Sequence, residues 1–335
     1  MIRKIKIGNV EIEQTAALAP MAGVADRAYR LMCKRFGAAY VVSEMVSAKG
    51  IVYGDKKTAQ LCTVTSQERP MAVQLFGSEP EFMAKGVEIV KRFEPDIIDI
   101  NMGCPVPKVV GTGAGSALMK DIDLAARVCE ATAKAAGETP VTVIIRSGWS
   151  LDSVNAPQMA KALENAGAAA VAVHGRTRDM FYGGNCDLDV IRAVKEAVNV
   201  PVIGSGDVTD LQSCLAMYEQ TGCDLVMIGR GSYGNPFVFD EIRSYYNKKK
   251  YVKPTIEARM ETMLEHIRLM LDMSEKDEEL AMHEARKHAA WYMNHYYGSA
   301  KFRGRCYQLS PYDEAKRLAE EFIALQNSRN SLNNL

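Results

Sequence analysis

The 335-residue sequence predicts an α/β fold: a (β/α)8 TIM barrel over residues 1–246, followed by a linker and a small all-helical domain over residues 247–335. Two observations predict the barrel. Eight short apolar runs alternate with helix-compatible segments, and eight is the number of strands that this fold requires. No GxGxxG run follows the first of them, which disfavours a doubly wound open sheet, the main alternative.

The eight runs are predicted to be parallel strands. Each is rich in Val, Ile and Ala, and near-continuous apolarity suits a strand that is buried on both faces. In chain order the runs are TAALAP (15–20), AYVVSEM (39–45), MAVQLF (71–76), IIDINMG (97–103), VTVIIR (141–146), AAVAVHG (169–175), PVIGSGD (201–207) and DLVMIGR (224–230). Several of the segments between them begin with Asp or Glu, which favours a helix N-terminus.

The C-terminal part differs in pattern. The charged segment NKKKYVKPT (247–255) contains a proline and indicates a linker. Beyond it, apolar residues recur at three- and four-residue spacing, which predicts three or four packed helices.

Composition limits the class of protein. Apolar residues make up 47% and charged residues 24%, as in a soluble globular protein. No apolar stretch is long enough for a membrane span, and the N-terminus lacks a signal-like apolar region, so we expect a cytoplasmic protein that does not interact with membranes. The eight cysteines are scattered, which disfavours disulfides and a metal site. A net charge of zero disfavours a wholly basic nucleic-acid binder but allows a local basic face.

The candidate site lies where the strands end, because TIM barrels place their chemistry at the C-terminal ends of the strands. Polar or sulfur-bearing side chains close every predicted strand: Met21, Glu44, Gln74, Asn101 with Cys104, Arg146, His174 with Arg176, Ser205 with Asp207, and Arg230. The glycine-rich turns GSGD (204–207) and GRGSYGNP (229–236) follow the last two strands, where such barrels commonly bind phosphate. From the residues alone, Cys104 could be an acid, a nucleophile or a packing residue.

Several motifs make a family resemblance specific. DINMGCPVPKVVGTGAGSALM (99–119), LAPMAGVADRAYR (18–30), HGRTRDMFYGG (174–184) and MIGRGSYGNPFVF (227–239) are similar to segments of the bacterial tRNA-dihydrouridine synthases, and most of all to their DusB-like branch. The similarity covers nearly the whole chain. RKHAAWYMNHYYGSAKFR (286–303) resembles the helical tRNA-binding domain of that family.

The resemblance implies an FMN- and NADPH-dependent enzyme that reduces uridine in tRNA to 5,6-dihydrouridine. Hydride would pass from reduced FMN to uracil carbon 6, and Cys104 would donate a proton to carbon 5. A thiol of pKa ~8.5 is mostly protonated at neutral pH and can act as that acid. The implied cofactor residues are Pro20, Met21, Ala22, Gln74, Arg146, His174, Ser205, Gly206, Asp207, Gly229 and Arg230.

The implied partner is tRNA, and we expect the protein to be a monomer. The expected tRNA contacts are Asn101, Arg176, Arg286, Lys287, His288 and Arg303. Basic residues beside aromatic ones suit phosphate contacts and base stacking. A solvated helix face is the alternative interpretation of the C-terminal members. His283 and His288 are five residues apart, off the i, i+4 spacing of helical metal pairs, so no metal is expected.

Two positions depart from the family pattern. Ile144 stands where the family carries a lysine at the pyrimidine end of the flavin, and Ser205 stands where it carries an asparagine. Arg146 shares a strand face with Ile144, because side chains alternate with period two, and could compensate in part. These departures keep two alternatives open: a catalytically weakened paralogue that binds tRNA, and a flavin barrel reductase that acts on a small unsaturated substrate.

Overall fold

The computed structural model describes residues 2–333, except for the side chains of residues 57 and 330–333. It begins with an antiparallel hairpin, β1 (Lys4–Ile7) and β2 (Val10–Glu13), which the sequence pattern did not predict. Ile7 and Ile12 are buried on the inner face of this hairpin, in one apolar cluster with residues that point into the barrel. The hairpin therefore closes one end of the barrel.

Within the described range, eight parallel strands form a closed barrel, which confirms the predicted fold. They are β3 (Ala16–Leu18), β4 (Tyr40–Val42), β6 (Met71–Phe76), β7 (Ile97–Met102), β8 (Val141–Arg146), β9 (Ala170–His174), β10 (Val202–Ser205) and β11 (Leu225–Ile228), and a short strand, β5 (Val46–Ser47), pairs with the end of β6. Closure comes from the pairing of β11 with β3 and of β4 with β6.

Helices follow the strands and surround the barrel. The helices of the barrel part are α1 (Arg27–Arg35), α2 (Ala48–Val52), α3 (Lys56–Gln60), α4 (Pro80–Val90), α5 (Pro107–Val110), α6 (Ile122–Ala136), α7 (Ala156–Asn165), α8 (Leu188–Ala197), α9 (Leu211–Thr221) and α10 (Phe237–Tyr246). Side-chain caps begin several of them: the carboxylate of Asp26 accepts from Tyr29 N, and that of Asp121 accepts from Leu124 N.

The strands divide their side chains between two apolar layers with period two. Ile98 and Ile100 of β7 point outward and pack under the helices, whereas Ile97 points into the barrel. Ala170 and Ala172 of β9 also point inward, where space is limited. Asp99 and Asn101 share the inward face of β7, so the same alternation places polar groups inside the barrel, toward the site.

The C-terminal helices are α11 (Ile256–Asp272), α12 (Glu278–Tyr292), α13 (Ser299–Cys306) and α14 (Tyr312–Asn333). Their shared apolar core includes Met260, Met282 and Phe322, and it also takes in Ala28 and Phe237 from the barrel part. A division into two domains after residue 246 stays a prediction. No helix in the described part of the chain has the length and apolarity that a membrane crossing requires.

Candidate active site

The C-terminal ends of the barrel strands surround a cavity of about 460 Å³. Every residue that the family resemblance assigns to the cofactor lies in its wall: Pro20, Met21, Ala22, Gln74, Arg146, His174, Ser205, Gly206, Asp207, Gly229 and Arg230. Cys104, Asn101 and Arg176 also line the cavity. The barrel thus brings one group of predicted residues together, while their individual roles stay predictions.

Cys104 lies in a turn just beyond β7 that several hydrogen bonds hold in place. Asn101 Oδ1 accepts from Cys104 N at 2.8 Å and from Gly103 N at 3.2 Å. Ser116 donates to the Cys104 carbonyl oxygen through its backbone N (3.0 Å) and through its hydroxyl (2.9 Å). Burial raises the pKa of the Cys104 thiol above its ordinary value, against smaller opposing effects of a backbone hydrogen bond and Arg146. The thiol is therefore a protonated group on a defined turn.

A buried carboxylate, Asp99, lies behind this turn, and the sequence interpretation assigned it no role. It accepts hydrogen bonds from Gln74 Nε2 at 2.6 Å and from the Thr142 hydroxyl at 2.5 Å. Burial raises its pKa to about 7, although these two hydrogen bonds lower it. Asp99 precedes Asn101 by two residues, so the period-two rule that placed Ile144 and Arg146 on one face would have found it.

Arg146 supports the loops around the cavity. Its Nε donates to Gly103 O at 2.8 Å, and its Nη1 donates to Thr177 O and Phe181 O, each at 2.8 Å. Burial lowers its pKa to about 10, so the group remains cationic at neutral pH. Ile144 is half-buried in the cavity wall. Because three backbone carbonyls hold the Arg146 guanidinium, the geometry gives little support to compensation by Arg146 for the apolar Ile144.

His174 is a neutral group with an unused polar atom. Burial lowers its pKa to about 3, and the nearby guanidinium groups of Arg146 and Arg176 act in the same direction. Its buried Nδ1 has no hydrogen-bond partner among the described residues. Since an unpaired buried polar atom is costly, the His174 imidazole, which lines the cavity, is suited to a ligand that offers it a hydrogen bond.

The turn after β10 is tied to the loop after β9 by one ion pair. Arg176, 2% exposed, donates from Nη2 to both carboxylate oxygens of Asp207, at 2.7 and 2.8 Å. Partial burial of Asp207 would raise its pKa, but the hydrogen bonds from Arg176 and from Cys186 N bring it below the ordinary carboxyl value. Asp207 has a positive φ of 53°, so the pair holds an uncommon backbone conformation.

The two glycine-rich turns pack directly against each other. A Cβ on Gly231 would lie 2.1 Å from Val208 O, so only glycine permits this approach. Arg230 lies in the second turn, and its guanidinium carbon is 5.0 Å from the ring centre of Tyr182, a half-exposed aromatic residue of the cavity wall. Tyr182 lies within the HGRTRDMFYGG motif, but no sequence signal separates it from its neighbours.

Among the residues predicted to contact tRNA, His288 lies in the packed interior, and this burial gives no support to its predicted role. It is 1% exposed and packs edge-to-face against His266 at 4.6 Å between ring centres. Burial lowers the pKa of both histidines, that of His266 to about 3. Tyr29 of α1 stacks on His266 at 5.2 Å. The two rings therefore form part of the packing between the barrel and the C-terminal helices.

The remaining predicted tRNA contacts fall into two groups. Asn101 and Arg176 are buried in the cavity wall. Asn101 Oδ1 accepts from Cys104 N, and Arg176 Nη2 donates to the Asp207 carboxylate. Arg286, Lys287 and Arg303 are half-buried residues of the C-terminal helices. Arg286 Nε donates to Leu309 O at 2.7 Å, and Arg303 Nη1 donates to Asn294 Oδ1 at 2.7 Å.

A closed parallel barrel with a thiol, a neutral imidazole and guanidinium groups around a cavity at its C-terminal end defines an enzyme of the TIM-barrel class. Among the described residues, no group of three or more His, Cys, Asp or Glu is arranged to hold a metal ion. The family model described as "Dihydrouridine synthase (Dus)" matches residues 17–329. The chain therefore belongs to the dihydrouridine synthase family.

Similar proteins carry the name of the same family. The chain is 42% identical over 302 residues to a protein of Rickettsia bellii named "Probable tRNA-dihydrouridine synthase", covering 90% of this chain and 92% of that protein. It is 38% identical over 320 residues to "tRNA-dihydrouridine synthase B" of Shewanella oneidensis, covering 95% and 98%. Membership of the dihydrouridine synthase family makes the protein an oxidoreductase.

Solved structures support the fold. A morphinone reductase complex with tetrahydroNAD superposes with a TM-score of 0.54 at 14% identity, over 77% of this chain and 93% of that one. An old yellow enzyme homologue from Zymomonas mobilis gives a TM-score of 0.57 at 14% identity, over 77% and 95%. At this identity the likeness concerns the barrel alone.

Proposed function

We propose that this protein reduces uridine in tRNA to 5,6-dihydrouridine, with FMN as its cofactor and NADPH as the reductant. The observation that carries the proposal is the position of Cys104: a protonated thiol in the wall of a barrel cavity, within a chain of the dihydrouridine synthase family. We further propose that the protein acts as a monomer in the cytoplasm.

The residues of the cavity fit a flavin mononucleotide. A volume of about 460 Å³ lies in the range of ligand pockets. Met21 and Met227 offer apolar surface for a planar ring, and the unpaired Nδ1 of His174 is a site for a hydrogen bond. Arg230 and the abutting glycine turns supply positive charge and accessible backbone beside each other, which suits a phosphate group. Ile144 supplies no charge or hydrogen bond to that ligand.

The protein's own part in the reaction is to hold a proton and to position it. The hydride for carbon 6 of the uracil would come from the bound, reduced flavin. The Cys104 sulfur then gives its proton to carbon 5, which balances the addition across the double bond and leaves a thiolate. Asn101 and Ser116 hold the backbone on both sides of that sulfur, so the donor keeps one place in the cavity wall.

The substrate base must leave the tRNA fold to enter this cavity. Trp291 of α12 stacks on Tyr233 of the cavity wall, with ring centres 4.1 Å apart, which joins the C-terminal helices to the edge of the site. Lys287 lies on the same helix, and a Cβ on Gly23 would be 3.7 Å from its ammonium nitrogen. We propose that Arg286, Lys287 and Arg303 contact tRNA phosphates beside the cavity.

The test combines flavin content with tRNA analysis. The purified protein should be yellow, with flavin absorbance, and deletion of its gene should remove dihydrouridine from at least one tRNA position. Re-expression of the wild-type protein should restore that position, whereas Cys104→Ala should not. Cys186→Ala is the matched control, because Cys186 is a second half-buried thiol outside the cavity wall. Unchanged dihydrouridine at every position, in a strain without other enzymes of the family, would contradict the proposal.

A further inference from the structure

Three buried side chains connect the interior of the barrel with Cys104. Gln74 Nε2 donates to Asp99 at 2.6 Å, Asn101 Nδ2 donates to Gln74 Oε1 at 2.8 Å, and Cys104 N donates to Asn101 Oδ1 at 2.8 Å. Asp99 is 4%, Gln74 0% and Asn101 8% exposed. Because such buried groups form few hydrogen bonds with water, they depend on one another as hydrogen-bond partners.

The direction of these hydrogen bonds follows from chemistry. The backbone N–H groups of Cys104 and Gly103 can only donate, so they require the oxygen of Asn101. The amide nitrogen of Asn101 then faces Gln74, which must present its own oxygen. This orientation turns Gln74 Nε2 toward position 99, where an acceptor is needed. Asp99 supplies it, and its other oxygen accepts from the Thr142 hydroxyl at 2.5 Å.

We infer that Asp99 is a positioning residue for Cys104, acting through Gln74 and Asn101. It does not line the cavity. By accepting from Gln74 it fixes the orientation of both amides, and so it keeps an oxygen on the Cys104 turn. The catalytic meaning of this inference rests on the proposed function of Cys104, but the hydrogen-bond order itself can be tested without turnover.

Substitutions at position 99 distinguish the effect of a hydrogen-bond acceptor from the effect of a negative charge. In Asp99→Asn, the amide oxygen can accept from Gln74 while the amide nitrogen donates to the Thr142 hydroxyl, so the order survives. In Asp99→Leu, Gln74 Nε2 has no acceptor. Alkylation of Cys104 by iodoacetamide, followed by mass spectrometry of its peptide, should be within about twofold of wild type for the asparagine variant. The leucine variant should differ from wild type by about threefold or more, and an unchanged rate in a folded leucine variant would overturn the inference.

A double-mutant cycle tests the same order if the leucine variant does not fold. Asn101→Asp places two acceptors against Gln74, one at each end, because neither carboxylate can donate when ionised. Gln74 then turns its amide nitrogen toward position 101 and its oxygen toward position 99. Adding Asp99→Asn supplies a donor for that oxygen, so all the hydrogen bonds can form in the reversed direction. At pH 8.5, Asn101→Asp should lower the Tm by about 3–6 °C, or prevent folding, and the second change should recover most of that loss. If Asp99→Asn gives no recovery, the inference is wrong.

Simple repulsion between two carboxylates on one strand face would also give recovery, and Gln74→Met separates the two explanations. Without the Gln74 amide, the recovery brought by Asp99→Asn should fall to less than about a third. Full recovery in the Gln74→Met background would show repulsion and overturn the inference. None of these measurements uses tRNA or NADPH, so their outcome is independent of whether the proposed reaction occurs.

Discussion

Arg176 and Asp207 form a pair in which one partner is buried and the other is partly open to solvent. The side chain of Arg176 is 2% exposed and that of Asp207 42% exposed, and both carboxylate oxygens accept from the same guanidinium nitrogen. Arg176 Nε and Nη2 also donate to Gly183 O and Gly184 O, at 2.9 and 2.6 Å. The pair therefore joins the loop after β9 to the turn after β10.

We predict that Asp207→Ala weakens FMN binding about tenfold or more. The change leaves a buried guanidinium without its anionic partner and releases the turn of residues 205–207, which we propose contacts the cofactor. Titration of the apoprotein with FMN by fluorescence measures the effect. Asp189→Ala removes an exposed ion pair with Arg192 on α8 and is the control that should keep the wild-type affinity. Equal affinities for the two variants would contradict this role of Asp207.

Cys104→Ala should lower the rate of uridine reduction about 10²–10⁴-fold without loss of bound FMN, because it removes a general acid. Rapid-mixing measurements of reduced enzyme with tRNA give the rate, and Cys186→Ala should leave it unchanged.

The pH dependence of the same rate tests the protonation of the thiol. Burial raises the pKa of Cys104, and a proton donor acts only while protonated. The rate should therefore be constant below that pKa and fall as the pH rises through it. A rate limited by Cys104 that instead increased with pH would indicate a thiolate nucleophile.

Ile144→Lys should raise FMN affinity, because the substitution places a cation in a cavity wall that has an apolar side chain at that position. Ile144→Met is the matched control, with similar volume and no charge. Both affinities can be measured by fluorescence titration, and the potential of the bound flavin by dye equilibration. If the lysine variant binds FMN no better than the methionine variant, the departure at this position has no consequence for the cofactor.

The buried histidines should make the protein sensitive to acid. In the folded protein the pKa of His266 is about 3 and that of His288 is well below the ordinary value, while both are ~6.5 in the unfolded chain. The unfolded chain thus binds more protons below pH ~6.5, and stability should fall as the pH decreases from there. Denaturant unfolding between pH 7 and 5 measures the slope.

Replacing one of these histidines tests the cause of that slope. His288→Phe should reduce the loss of stability between pH 7 and 5 relative to its own value at pH 7. His283→Gln is the control, because His283 is exposed on the same helix. An acid slope that is the same in the phenylalanine variant would show that other groups cause it.

Lys287→Ala should weaken tRNA binding and reduce its salt dependence, as expected for the loss of one phosphate contact. Lys134→Ala is the control, because Lys134 is exposed near the end of α6 and does not line the cavity. Binding measured at several salt concentrations separates the two variants. Identical salt slopes for wild type and Lys287→Ala would remove Lys287 from the tRNA surface.

Much of the fold could be predicted because its signals are local. Continuous apolar runs such as VTVIIR mark strands buried on both faces, and eight of them alternate with helices. The position of Cys104 follows in the same way, because a residue at the end of a barrel strand faces the active-site end. The short hairpin β1–β2 was missed, since its exposed charged residues obscure two buried isoleucines.

The sequence by itself determined the barrel, the group of residues at its C-terminal end and the family. Only the tertiary structure decided which side chains remain available for contacts with a ligand. It buries His288, and three carbonyl oxygens accept hydrogen bonds from Arg146. It also brings Asp99 into line with Cys104 through Gln74, a residue of the neighbouring strand. The physical reason is that hydrogen bonds between strands depend on register and barrel closure, which join residues far apart in the chain, whereas strand and turn patterns are local.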